Sequence, residues 1–137
     1  MAWEKLGTLV SFKADIDLRT YQFHVVVRTA TGVALPGAAI DIPLGILQNA
    51  PNIGEEAVIA PIGCGGISKA VGGATPPAVN ELCGLEFVGA ADAGKINKAV
   101  TTQFPLGLCI DPAGAEDALM TVLMTPIHKA LAEDLPA

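Results

Sequence analysis

Apolar residues run through this chain in short bursts, and Gly, Pro, Asn or Asp closes almost every one of them. Residues 21–29, Tyr-Gln-Phe-His-Val-Val-Val-Arg-Thr, are rich in β-branched and aromatic side chains and end at Ala30-Thr31-Gly32, so they read as a strand followed by a turn. Further strands are predicted over 45–48, 57–62, 67–71, 82–88, 96–102, 106–110 and 118–125. Short strands at such regular spacing point to an all-β fold, a small barrel or a sandwich. Pro43, Pro51, Pro61, Pro105 and Pro112 fall at the edges of these runs, where a missing N–H costs no ladder bond. Helical period is confined to the C-terminus: Thr125 suits a cap, Pro126 a first helical position, and Ile127, Leu131 and Leu135 recur at one face before Pro136. A short helix or tail is predicted over 126–137.

Part of the pattern occurs twice. Pro43-Leu44-Gly45-Ile46-Leu47, then Pro51 and Glu55-Glu56-Ala57-Val58-Ile59, is matched by Pro105-Leu106-Gly107-Leu108-Cys109, then Pro112 and Glu116-Asp117-Ala118-Leu119-Met120. Extended backward, the match sets Gly32 opposite Gly94 and Val26 opposite Val88. The order of turn residues and apolar runs predicts an internal duplication, with units over about 21–62 and 83–123 inside a β domain spanning 15–125. Residues 1–14 precede it and carry Trp3, Leu6, Leu9 and Phe12. They form either an arm that packs on something else or the first strand of the same barrel. With Arg19 just beyond, these four are the candidate contact residues, because interface energy concentrates on anchors such as Trp.

Composition narrows the partners. The chain has 137 residues, enough for one core without disulfides, and its formal net charge of −6 argues against nucleic acid, which needs clustered Lys and Arg. Aromatic residues make up 4% and charged residues 16%, against 15 Gly and 10 Pro, a balance that suits short strands and turns over helical bundles. Glu4, Lys5, Lys13 and Asp15 interrupt the N-terminal apolar residues before a signal-peptide core forms, and no apolar run is long enough for a membrane-spanning helix, so neither export nor a membrane is expected. Cys64, Cys83 and Cys109 are odd in number, lack a C-x-x-C pair and lie in apolar or glycine-rich settings, which predicts buried reduced thiols.

Reactive chemistry finds little footing. His24 alternates within a strand and His128 rides the terminal helix, each without an adjacent nucleophile. No H-x-x-x-H or C-x-x-C spacing gathers metal ligands, so no metal and no cofactor is expected. The pairs Glu55-Glu56 and Glu116-Asp117 fall at matching places of the two units and read as solvated turn residues, although symmetric carboxylates could serve acid/base work. Gly63-Cys64-Gly65-Gly66 with Lys69 offers a loose anion nest, but it lacks the P-loop sequence and reads better as tight turns between closely packed strands.

The order Leu18, Tyr21-Gln22-Phe23, Val25, Gly32-Val33, Pro43-Leu44-Gly45-Ile46-Leu47-Gln48-Asn49 with Pro51, Gly54-Glu55-Glu56-Ala57 and Gly66-Ile67-Ser68-Lys69-Ala70 resembles the head decoration (capsid cement) proteins of tailed bacteriophages. Ala93-Gly94-Lys95, Ala99, Pro105-Leu106-Gly107-Leu108 and the apolar run 119–123 are similar to that family's later segments. After Gly72-Gly73 this chain departs from the pattern with Pro76-Pro77 and then Asn80-Glu81. The resemblance implies an all-β structural virion protein, not an enzyme, that binds the capsid exterior as a homotrimer and bridges capsomers. Its partners would be the major capsid protein and its own copies, with assembly in the host cytoplasm. A small-molecule or anion-binding domain, an enzymatic domain, and a tail or fibre component of a virion stay open as rival readings.

Overall fold

A computed structural model describes residues 2, 4–63, 66–86, 90–100 and 103–124. The fold is all-β. Ten strands form two five-stranded antiparallel sheets: β1 (Val10–Lys13), β2 (Val25–Arg28), β3 (Val33–Ala34), β4 (Gly45–Leu47) and β5 (Glu56–Pro61) in the first, β6 (Ile67–Val71), β7 (Leu82–Leu85), β8 (Ile96–Lys98), β9 (Gly107–Asp111) and β10 (Leu119–Leu123) in the second. Among the described residues the helical content is one 3-10 turn, Ala90–Asp92. The helix expected over 126–137 lies outside the described residues, as does His128.

The strand orders are β1-β5-β4-β2-β3 and β6-β10-β9-β7-β8, the same arrangement twice. Registers agree as well. Phe12 faces Ala57 as Ala70 faces Met120, Val26 faces Gly45 as Cys83 faces Gly107, and Arg28 faces Val33 as Leu85 faces Ile96. Each sheet also curls until its two edge strands touch, through the parallel bridges Ala14–Val33 and Gly72–Ile96. Irregular backbone is repeated too. Phe23 and Asn80 both take positive φ (67° and 69°), and their N–H groups donate to Leu47 O and Cys109 O, each at 2.8 Å. Gly54 and Asp117 form a second such pair (83° and 67°), donating to Ala14 O and Gly72 O.

This correspondence revises the alignment read from the sequence in three places. The corresponding strands begin at β1 and β6, ahead of residues 21 and 83. Val26 matches Cys83 and not Val88, and Gly32 matches Lys95 and not Gly94, because the second unit is longer between its second and third strands: residues 86–95 join β7 to β8, where 29–32 join β2 to β3. Gly54 answers to Asp117, so Glu55-Glu56 and Glu116-Asp117 are out of step and do not form a symmetric carboxylate set. The strand expected over 21–29 starts only at Val25, since Phe23 turns the chain and His24 N–H donates to Tyr21 O at 3.0 Å. Of the two readings of residues 1–14, the strand holds for Val10–Lys13, which pairs with β5, and Lys5 exchanges both backbone hydrogen bonds with Ile67.

Two apolar cores follow from the period-two alternation of the strands. Val26, Leu47, Ala57 and Ile59 point into the first curl with Ala14, Leu18 and Val33. Their partners Cys83, Cys109, Met120 and Val122 point into the second with Ile96 and Leu106. Val25 and Ile46 alternate to the opposite face of the first sheet and bury themselves in the second core, which joins the units. Val25 N–H donates to Gly94 O at 2.8 Å across this junction. Burying such side chains contributes on the order of 2 kcal/mol each.

Candidate functional site

The candidate contact residues separate on the surface. Trp3 lies outside the described residues. Leu6 and Leu9 are exposed (37% and 41%) on the segment leading into β1. Phe12, on β1, is partly buried: it packs against the first core, and the Arg28 guanidinium sits 4.3 Å above its ring. Its environment is that of a structural residue. Arg19 is exposed in the connection between β1 and β2, where it grips Asp17 through Nε (2.9 Å) and Nη2 (2.7 Å). These bonds hold the Asp17 carboxyl down at about 2.

Sequence reasoning missed a second apolar surface. Ile40 and Ile42, in the connection between β3 and β4, are 60% and 68% exposed. With Val27, Arg28, Asp41 and Phe104 they line an open groove of about 500 Å³. Asp41 shapes this connection, accepting the N–H groups of Gly37 (2.8 Å) and Ala38 (3.1 Å) on one carboxylate oxygen. The missed signal was Ile-Asp-Ile, apolar residues in a segment with no strand assigned to it.

Of the glycine nest, Gly63, Gly66 and Lys69 are described. A Cβ on Gly66 would run into the backbone of Gly7, so this glycine is required by close packing on the N-terminal segment. The Lys69 ammonium lies 5.7 Å above the Phe23 ring. Cys64 and Gly65 lie outside the described residues. Cys83 and Cys109 are buried in the second core, and burial pushes both thiols above their usual range, Cys83 furthest, which suppresses the reactive thiolate.

One cluster concentrates charge from residues that the sequence reading kept apart: Glu86 in a predicted strand, Asp92 between strands and Glu116 in an acidic turn pair. Glu86, which ends the β7 run, is 3% exposed. Its Oε2 accepts the Ala74 N–H at 2.7 Å and Asn97 Nδ2 at 2.8 Å, while its Oε1 is buried with no donor. Gly73 makes room for this carboxylate, since a Cβ there would lie 2.8 Å from Glu86 Cδ. Asp92, in the 3-10 turn, and Glu116, in the connection between β9 and β10, each bring a carboxylate oxygen, and the three ligand atoms lie within 4.8 Å of one another. On the rim, Lys95 Nζ contacts Asp117 Oδ1 at 2.6 Å and Asp92 Oδ1 at 3.6 Å. A lone carboxylate inside the run 82–88 was the signal in the sequence.

No protein-family model matches the chain, and no curated protein matches it.

Proposed function

We propose that this chain is a structural protein of a tailed-bacteriophage virion that binds the outside of the capsid as an oligomer and cements adjoining capsomers. The observation that carries the reading is the exposed pair Ile40 and Ile42 beside an open groove. Aliphatic side chains held in water are a cost that a partner surface relieves. The ordered Pro-Leu-Gly and Gly-Glu-Glu-Ala segments that resemble decoration proteins supply the direction. Mechanically, a closed β body transmits load between contacts, and a trimer multiplies weak contacts through effective concentration.

Cryo-electron microscopy and quantitative mass spectrometry of purified particles test the proposal. The chain is expected outside the shell, at local symmetry axes and in stoichiometric amount. Its absence from particles, or its presence only in the tail, overturns the reading. Ile40→Asp with Ile42→Asp is expected to weaken particle binding at least about tenfold, the effect of losing roughly 1.4 kcal/mol of interface energy, while leaving the melting temperature unchanged.

A further inference from the structure

We infer that Glu86, Asp92 and Glu116 form a binding site for a hard divalent cation of the size of Ca²⁺, with Glu86 Oε1 as its innermost ligand. The inference departs from the sequence-based expectation of no metal and is independent of the proposed virion role.

The first observation is the cluster itself, three carboxylate oxygens within 4.8 Å of one another. Oxygens around a common Ca²⁺ stand at about 2.3–2.6 Å from the ion, so opposite ligands are separated by roughly twice that and adjacent ones by less. Separations of at most 4.8 Å are compatible with such a sphere. Mg²⁺ demands a near-ideal octahedron and dehydrates reluctantly, so carboxylates carried on separate connections suit the more tolerant Ca²⁺ better. With neither His nor Cys in the set, soft metals are disfavoured.

The second observation is the buried, unpartnered oxygen. A carboxylate that is 3% exposed, with Oε1 lacking any donor, carries an electrostatic cost that a cation at that atom removes. Glu86 is also oriented in advance: the Ala74 N–H and Asn97 fix Oε2, and Thr75 N–H fixes Asn97 Oδ1 at 2.9 Å. Such support around a ligand is typical of binding sites.

The duplication supplies a comparison within the molecule. In the first unit Thr29 stands where Glu86 does, Ile53 where Glu116 does, and the segment that carries Asp92 is missing. Thr29 and Thr31 hydroxyls there donate to Asp15, and the Arg28 guanidinium donates to the Thr29 and Gly32 carbonyls, so the turn is closed by the chain's own groups. The longer 86–95 connection of the second unit has carboxylates in place of that closure, and a cation would tie it to the connection between β9 and β10. Lys95, held by Asp117 at the rim, offsets part of the negative charge and weakens the site without filling it.

Isothermal titration of the chelator-treated full-length protein with CaCl₂, alongside thermal unfolding with and without Ca²⁺, tests this. One Ca²⁺ per chain is expected, with a dissociation constant in the range of about 10⁻⁴–10⁻³ M seen for shallow sites, a higher melting temperature, and weaker binding of Mg²⁺. Glu86→Gln and Glu116→Gln should each weaken binding at least about tenfold, and Lys95→Gln should tighten it. Because Glu116 is exposed, Glu116→Gln reports on the site even where Glu86→Gln disturbs folding. No calcium-dependent change in the wild-type protein, which would mean that Lys95 alone balances the cluster, overturns the inference. So does affinity unchanged by Glu116→Gln, which would place the ion elsewhere.

Discussion

Two glycines show how tightly backbone chemistry constrains this fold. Gly45 opens β4 and Gly107 opens β9, and a Cβ on either would strike a backbone carbonyl of the adjoining strand, Ala60 in one unit and Leu123 in the other. Neither carbonyl can step aside without breaking its ladder. Gly45→Ala and Gly107→Ala are each expected to cost about 1–3 kcal/mol in urea unfolding, as overpacking does. Gly114→Ala, where a Cβ meets nothing within 4 Å, should be neutral. Equal stability of all three variants would contradict this account. Titration makes a second residue-scale prediction. Burial, with Lys95 adding to it, holds His24 below its ordinary 6.5 in the folded protein, against the opposing pull of the Gln22 and Tyr21 carbonyls and of Asp117. The unfolded chain therefore binds the proton more readily. Stability rises with pH over the window between the depressed value and about 6.5, is fully present above it, and is lost as pH falls. Melting temperatures measured from pH 7 down to pH 5 should decline, and His24→Gln should flatten that part of the curve.

Among elements, β1 decides what the N-terminus is for. It is the edge of the first sheet, and Phe12 on it joins the first core. Deleting residues 2–13 should abolish cooperative unfolding by exposing β5 and uncovering Ala57 and Ile59. Deleting residues 2–4 should leave it intact, since the Lys5 bridge to Ile67 survives. A folded 2–13 deletion, seen by circular dichroism and a sharp thermal transition, would restore the idea of a detachable arm. Strand positions were largely legible in the sequence, because β-branched runs between Gly and Pro carry a local signal. β3 was not, since two residues, Val33 and Ala34, give no periodicity to read. The carboxylate cluster was hidden for a different reason. Glu86, Asp92 and Glu116 come together only because the second sheet closes on itself: Gly72, just after β6, bridges Ile96 of β8 and exchanges hydrogen bonds with Asp117 and Ala118 ahead of β10, a long-range fact that residue spacing does not encode.

For the whole molecule, the two curled sheets depend on one another through Val25 and Ile46, which belong to the first sheet and lie in the second core. Ile46→Ala should cost about 2–5 kcal/mol and should lower the single thermal transition without splitting it. Two resolved transitions would mean that the units melt separately. Thiol reactivity offers another reading of the same cooperativity. Cys83 is fully buried, so its labelling is expected to proceed at the rate of opening of the second core and to accelerate in Ile46→Ala.

Each sheet is made from one uninterrupted stretch of chain, Val10–Lys13 through Glu56–Pro61 and then Ile67–Val71 through Leu119–Leu123, with no strand exchanged between them. During synthesis the first sheet therefore has all five of its strands before β6 has left the ribosome. What it lacks at that moment is a cover for Val25 and Ile46, and that bare patch is the surface on which the later half assembles. Tandem units of matching topology run the risk that a strand from one copy enters the other. Vectorial synthesis removes most of the opportunity, because the earlier copy is already closed when its rival strands appear, whereas refolding from denaturant presents all ten at once.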